Sequence, residues 1–185
     1  MSGGRGDLAT TEESKKLDKM LKEARAQLKQ EFSGVFVVKA KLYENAWIKY
    51  FGLKPAGVGC ELDGGLWYLN DQLVSVFEGK HQGPKGNADE RWWKNASIIN
   101  GIFTFYRKSK GVYHTFASGA ACDKKWKGNE QLSSVIFPID VRWSLSKEGF
   151  TYEELLEGMR NTLNGILGKH NIPHVYPEER GILDV

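Results

Sequence analysis

Residues Leu62–Lys94 read LDGGLWYLNDQLVSVFEGKHQGPKGNADERWWK, and the reading of this stretch decides the fold. Leu66-Trp67-Tyr68-Leu69 is a short strand-like run, and Asn70 and Asp71 supply turn chemistry after it. Leu73–Phe77 is apolar and β-branched, as a buried strand should be. It ends in Glu78-Gly79-Lys80. Side chains at i and i+2 of a strand share a face, so Glu78 and Lys80 point the same way. If the two runs pair as a hairpin, Asp63 at the start of the first lies near Glu78 at the end of the second.

Two carboxylates and an ammonium would then converge. Hard cations such as Mg²⁺ take oxygen ligands and commonly sit on one or two carboxylates plus a substrate phosphate. Such an ion stabilises developing charge on a phosphodiester, and a neighbouring lysine can orient or deprotonate the attacking water. Alone, a Glu-x-Lys triplet is a common chance match, and charges at strand ends are usually solvated. Its weight here comes from the apolar strand before it, from Asp63, and from the basic, glycine-containing segment His81–Asn87 after it.

Beyond that segment Trp92, Ala96, Ile99, Phe103 and Tyr106 recur at helical spacing with no proline between them. Asn87, or the loop before it, caps the start. Asn87 and Arg91 are four apart and project from one side. Asn suits adenine and Arg suits guanine as bidentate partners, and a helix start aimed into the major groove presents such residues. A plain cap with a surface pair of Arg91 to Glu90 or Asp89 explains the same residues equally well.

Three motifs occur in order: Asp63-Gly64-Gly65, then Glu78-Gly79-Lys80-His81-Gln82-Gly83, then Gly86-Asn87-Ala88-x-Glu90-Arg91-x-x-Lys94-Asn95. Together they resemble the EcoRI/MunI family of type II restriction endonucleases, within the PD-(D/E)XK nuclease superfamily. The resemblance implies a restriction-endonuclease-like α/β sandwich, a mixed central sheet flanked by helices. It makes Asp63 and Glu78 the Mg²⁺ ligands and Lys80 the residue acting on water. Asn87, Ala88, Glu90 and Arg91 match base-reading positions, with Glu90 also bracing Arg91. His81, Gln82 and Lys85 would support the site or contact DNA. It further implies a homodimer on double-stranded DNA, cutting a short palindrome with an AATT-like centre; a cognate DNA methyltransferase commonly accompanies such an enzyme, but nothing in this sequence encodes it. Leu62 stands where the family has a proline, and the Lys80–Gly86 connection is much shorter than in EcoRI. The likeness is loose outside Asp63–Asn95.

The chain of 185 residues is long enough for one domain with a real core. Residues 1–9 are expected as a flexible tail and 10–185 as one nuclease domain, with its catalytic core in 58–106. The net charge of +3 permits DNA binding only if basic groups cluster on one face. No apolar run is long enough for a membrane span, and no signal-peptide pattern opens the chain, so a cytoplasmic location is expected. Cys60 and Cys122 read as two buried thiols, and no Cys/His grouping has zinc spacing.

Working outward, Thr10-x-x-Glu13 reads as a capping box. Leu17, Met20, Leu21, Ala24 and Leu28 then form the apolar stripe of a helix to about Glu31. Val35–Val38 reads as a short strand, Tyr43–Phe51 stays open between helix and strand, and Lys54–Gly59 is a loop. Lys108–Lys110 is a basic turn, Val112–Ala117 a strand, and Ser118–Ala121 a small-residue loop. Asp123–Asn129 is a basic loop around Trp126, Val135–Ile139 and Val141–Leu145 are strand-like, and a capping box at Thr151-x-x-Glu154 opens a closing helix. Its buried face is Leu155, Leu156, Met159, Leu163, Ile166 and Leu167, with Gly168 as its stop. His114, His170 and His174 read as surface or packing residues, and the tail from Asn171 wraps the body or a partner. Two other functions fit less of the sequence: a structure-specific or repair nuclease of the same superfamily, and a catalytically silent DNA-binding module.

Overall fold

The computed structural model of the chain describes residues 8–32, 36–38, 62–69, 72–83, 91–93, 95–97, 99–100, 111–122, 131–133, 135–137 and 139–169. Their architecture is α/β around a mixed sheet. Helix α1 spans Leu8–Glu31. The strands are β1 (Phe36–Val38), β2 (Leu66–Leu69), β3 (Gln72–Gln82), β4 (Val112–Gly119) and β5 (Asp140–Ser146), and helix α2 spans Tyr152–Lys169. The strands lie side by side in chain order. β1, β2 and β3 pair antiparallel, whereas β3, β4 and β5 pair parallel.

The change of direction at β3 follows from the connections. Leu69 pairs with Gln72, so only residues 70 and 71 join β2 to β3, a hairpin length. Parallel neighbours instead need long crossovers. The two crossovers flanking β4 carry helical residues at 91–93, 95–97 and 99–100, and at 131–133 and 135–136.

Each face of the sheet buries its own core. On one side α1 and α2 pack through Leu17, Leu21, Ala24, Leu28, Leu155, Met159 and Leu163 onto Trp67, Phe77 and Phe116. On the other, Trp92, Ala96 and Ile99 pack onto Leu66, Val76, Tyr113 and Ala117. Alternation along β3 therefore sends Phe77 towards α1 and Val76 away from it. Gly79 is required where α1 crosses β3, because a Cβ there would lie 2.7 Å from Leu21 Cδ1 and 3.0 Å from Leu17 Cγ.

Helix α2 starts as expected. Thr151 Oγ1 accepts the Glu154 N–H at 3.2 Å, and Glu154 Oε2 accepts the Thr151 N–H at 2.8 Å. Arg160 then forks onto both Glu31 carboxylate oxygens at 2.8 and 2.9 Å, and the Tyr152 hydroxyl donates to Gln27 at 2.7 Å, fixing α2 to α1.

Several local expectations change. α1 already includes Leu8 and Ala9, so Thr10 lies inside the helix rather than at its cap. β4 continues through Ser118 and Gly119 into a 3₁₀ turn at Ala120–Cys122, replacing the expected loop. Gly168 does not stop α2, which reaches Lys169. The expected strand over Val135–Ile139 is helical at Val135 and Ile136, and the Phe137 N–H donates to Ser133 O at 2.9 Å. A short apolar run does not distinguish the two states by periodicity, and here β-propensity misled. Cys122 is half-buried and its thiol donates to Ala117 O at 3.3 Å, and Cys60 lies outside the described residues. So do the expectations for 43–51, 54–59, 103–110 and 123–129, and those for His170, His174 and the tail.

Candidate active site

The site begins at a tight turn. Gly65 N–H donates to Leu62 O at 3.0 Å, closing a turn with Asp63 and Gly64 at its centre, and Gly65 has φ 84°. Only glycine adopts that φ without strain. Three donors hold the turn against the body: Trp67 Nε1 to Gly64 O at 2.9 Å, Phe77 N to Gly65 O at 3.3 Å, and Arg25 Nη1 to Asp63 O at 3.1 Å. A Cβ on Gly64 would collide with Phe77 Cβ, so the turn lies flush on β3. The Leu66–Val76 register, carried back, sets Gly64 opposite Glu78 and Asp63 one step beyond.

Glu78 is 1% exposed. Its Oε1 accepts the Lys80 ammonium and, at 3.3 Å, Asn95 Nδ2 from the crossover helix. Trp92 positions that helix by donating to Thr115 Oγ1 at 2.8 Å and stacking on Tyr113 with ring centroids 5.8 Å apart. Glu78 Oε2 is buried and has no hydrogen-bond partner among the described residues. Burial pushes the Glu78 carboxyl up to about 7. The Lys80 charge and hydrogen bond oppose that rise, and the Asp63 charge adds to it. Asp63, Glu78 and Lys80 thus come together as their spacing predicts.

Two further groups enter from α1. Lys22 Nζ lies 3.0 Å from Asp63 Oδ1. Asp18 hydrogen-bonds to the Asp63 side chain, and its carboxyl is pushed up to about 7 by burial first, then by the Asp63 charge and hydrogen bond, then by Glu78. Lys22 pulls it the other way. Sequence reasoning missed Asp18. Its only signal is helical: Asp18, Lys22 and Arg25 at i, i+4 and i+7 form a polar flank beside the apolar stripe, and that matters only once α1 is known to cross β3.

The flanking residues divide. Gln82 follows Glu78 and Lys80 on the same strand face by alternation, whereas His81 takes the opposite face, where Nδ1 lies 3.0 Å from Ser118 Oγ. His81 therefore ties β3 to β4 rather than joining the carboxylates. Arg91 is exposed at the described start of the crossover helix. Lys85, Asn87, Ala88 and Glu90 lie outside the described residues.

The donors suit a hard divalent cation. They are all carboxylate oxygens, one of them a buried atom without a partner. Among the described residues no group of three or more His, Cys, Asp or Glu side chains is gathered to hold a metal ion. Mg²⁺ does not require one, since it usually keeps several waters and takes one or two carboxylates together with substrate phosphate. What fold and site define is thus an α/β protein with a buried carboxylate–lysine cluster at the point where its sheet changes direction. Comparison with protein-family models, curated proteins and solved structures finds no match. No helix among the described residues is long and apolar enough to cross a membrane.

Proposed function

We propose that the chain is a Mg²⁺-dependent, site-specific endonuclease of double-stranded DNA built on a restriction-endonuclease-like sandwich. One observation carries the reading: Glu78 buries a carboxylate oxygen with no partner, on the strand face that also presents Lys80 and next to Asp63. Burying a charge without compensation is costly, and folds retain such groups chiefly where they act. The motif resemblance over Asp63–Asn95 supports DNA as the substrate and a homodimer cutting a palindrome.

Asp63 and Glu78 would hold the cation, which supplies charge stabilisation at the phosphoryl oxygens. Lys80, fixed by Glu78, orients the attacking water. The water oxygen bonds to phosphorus as the bond to the 3′ oxygen breaks. The water's proton passes to solvent and the leaving oxygen takes one up, giving 5′-phosphate and 3′-hydroxyl ends. Asn87, Ala88, Glu90 and Arg91 would select the bases, and Gln82 and Lys85 would contact the backbone.

The test is incubation of the purified chain with phage-length duplex DNA and Mg²⁺, followed by sequencing of all fragment ends. Discrete fragments sharing one palindrome are expected. Cutting with no shared sequence would favour a structure-specific nuclease, and salt-sensitive binding without cutting a silent DNA-binding module.

A further inference from the structure

One surface beside the site is not used by this chemistry. Along α1, Lys15, Asp18, Lys19, Lys22, Glu23 and Ala26 line an open groove of about 370 Å³. The groove adjoins the carboxylate cluster, since Lys22, one of its lining residues, has its Nζ 3.0 Å from Asp63 Oδ1. Its wall is basic. Lys15, Lys19 and Lys22 fall at i, i+4 and i+7 on one helix face and span ~10 Å along the axis. Lys15 and Lys19 are exposed. Lys19 meets Glu23 only at 3.8 Å, with both side chains more than half exposed, a pairing worth little against a competing phosphate. Lys22 reaches both ways, lining the groove while its Nζ touches Asp63.

We propose that this groove binds the sugar–phosphate backbone of the cleaved strand next to the reacting phosphate, with Lys15, Lys19 and Lys22 as its phosphate ligands. The assignment rests on the nuclease reading and extends it by naming where the substrate strand runs. A DNA strand advances ~3.4 Å per nucleotide along the duplex axis, so the lysine row covers about three nucleotide steps. The row of three ammoniums on one helix face makes a polyanion the fitting partner. An extended phosphate chain is also the partner that would lead into carboxylates holding a divalent cation. The two outer lysines fix the path of the strand, and Lys22 marks its entry to the site.

The double variant Lys15→Gln/Lys19→Gln tests this without touching the cluster. Binding of a 20-base-pair duplex is followed by fluorescence anisotropy across a salt series in the absence of divalent cation, and cleavage is followed with Mg²⁺. Losing two phosphate contacts should reduce the slope of log Kd against log salt by about 1.8. KM should rise, with kcat unchanged at saturating DNA. The control Lys29→Gln/Lys147→Gln removes two exposed lysines elsewhere and should leave both quantities as in the wild type. An unchanged slope in the groove variant, with wild-type cleavage intact, overturns the groove and leaves the nuclease reading standing. An equal fall in the control overturns it as well, since the effect would then be one of net charge. Wild-type protein that neither binds nor cuts DNA overturns both.

Discussion

Replacing Glu78 by glutamine separates the electrostatic cost of the site from its chemistry. The Glu78 carboxyl is ordinarily near 4.5 and is pushed up to about 7 in the folded protein, because its burial outweighs the neighbouring ammonium. The folded chain therefore holds a proton that the unfolded chain releases between those values. Linkage makes stability fall as pH rises through that window, and the loss persists above it. At 1.36 kcal/mol per unit, the cost at pH 8 relative to pH 4 is about 3 kcal/mol, or roughly 6–12 °C in Tm for a chain of this size. Asp18, also pushed up to about 7, acts in the same sense and His114 in the opposite one, so the wild-type curve alone does not isolate Glu78. The informative quantity is the difference between wild type and Glu78→Gln, measured by urea unfolding at pH 4, 5, 6, 7 and 8. The variant should gain stability relative to wild type by about 3 kcal/mol between the ends of that series, while DNA cleavage is lost. Millimolar Mg²⁺ at pH 8 should raise wild-type stability more than that of the variant, which keeps only the Asp63 carboxylate of the two ligands. Parallel pH curves for the two proteins would refute the reasoning that Glu78 is held at a cost.

Other outcomes follow from the same geometry. Lys80→Met should retain DNA binding and lower kcat by at least ~10²-fold, read in single-turnover cleavage. Gly64→Ala places a Cβ against Phe77 Cβ and should destabilise by ~1–3 kcal/mol in urea unfolding, while shifting the Asp63 turn. His114 is buried between Thr162 Oγ1 and Ser144 Oγ, each 2.8 Å away, and burial lowers its ring to about 4. Its unfolded form protonates near 6.5, so stability present above that value is lost as pH falls towards 4, by about 3 kcal/mol. His114→Gln should flatten that acid limb. Arg91→Ala should relax discrimination at one base pair by ~1–3 kcal/mol in competition binding against substituted sites.

The parts of the site that were legible are those carried by local rules. Glu78 and Lys80 share a face because a strand repeats every two residues, and Asp63 approaches them because a two-residue connection leaves the hairpin one short register. Helices α1 and α2 were legible from stripes such as Leu17–Leu21–Ala24–Leu28, whose members are all buried. Asp18 was hidden because its meaning depends on a packing between elements 60 residues apart along the chain. His114 reads in the sequence only as a surface or packing residue, because both its partners lie on other elements, Thr162 on α2 and Ser144 on β5. Val135 and Ile136 were misread because β-branching is a weak argument in a short run, and their 82% and 52% exposure shows no buried strand there.

The clasp between α1 and α2 has a consequence for how the chain comes to its native state. Tyr152 reaches Gln27 across 125 residues, and Arg160 reaches Glu31 across 129. Contacts of such separation form late and slow the search, because the intervening loop must close before they reward it. During synthesis α1 emerges early with Leu17, Leu21, Ala24 and Leu28 uncovered, and its final cover, α2, is among the later segments made. The layer that carries Asp18 and Lys22 is therefore completed by a segment that leaves the ribosome long after they do.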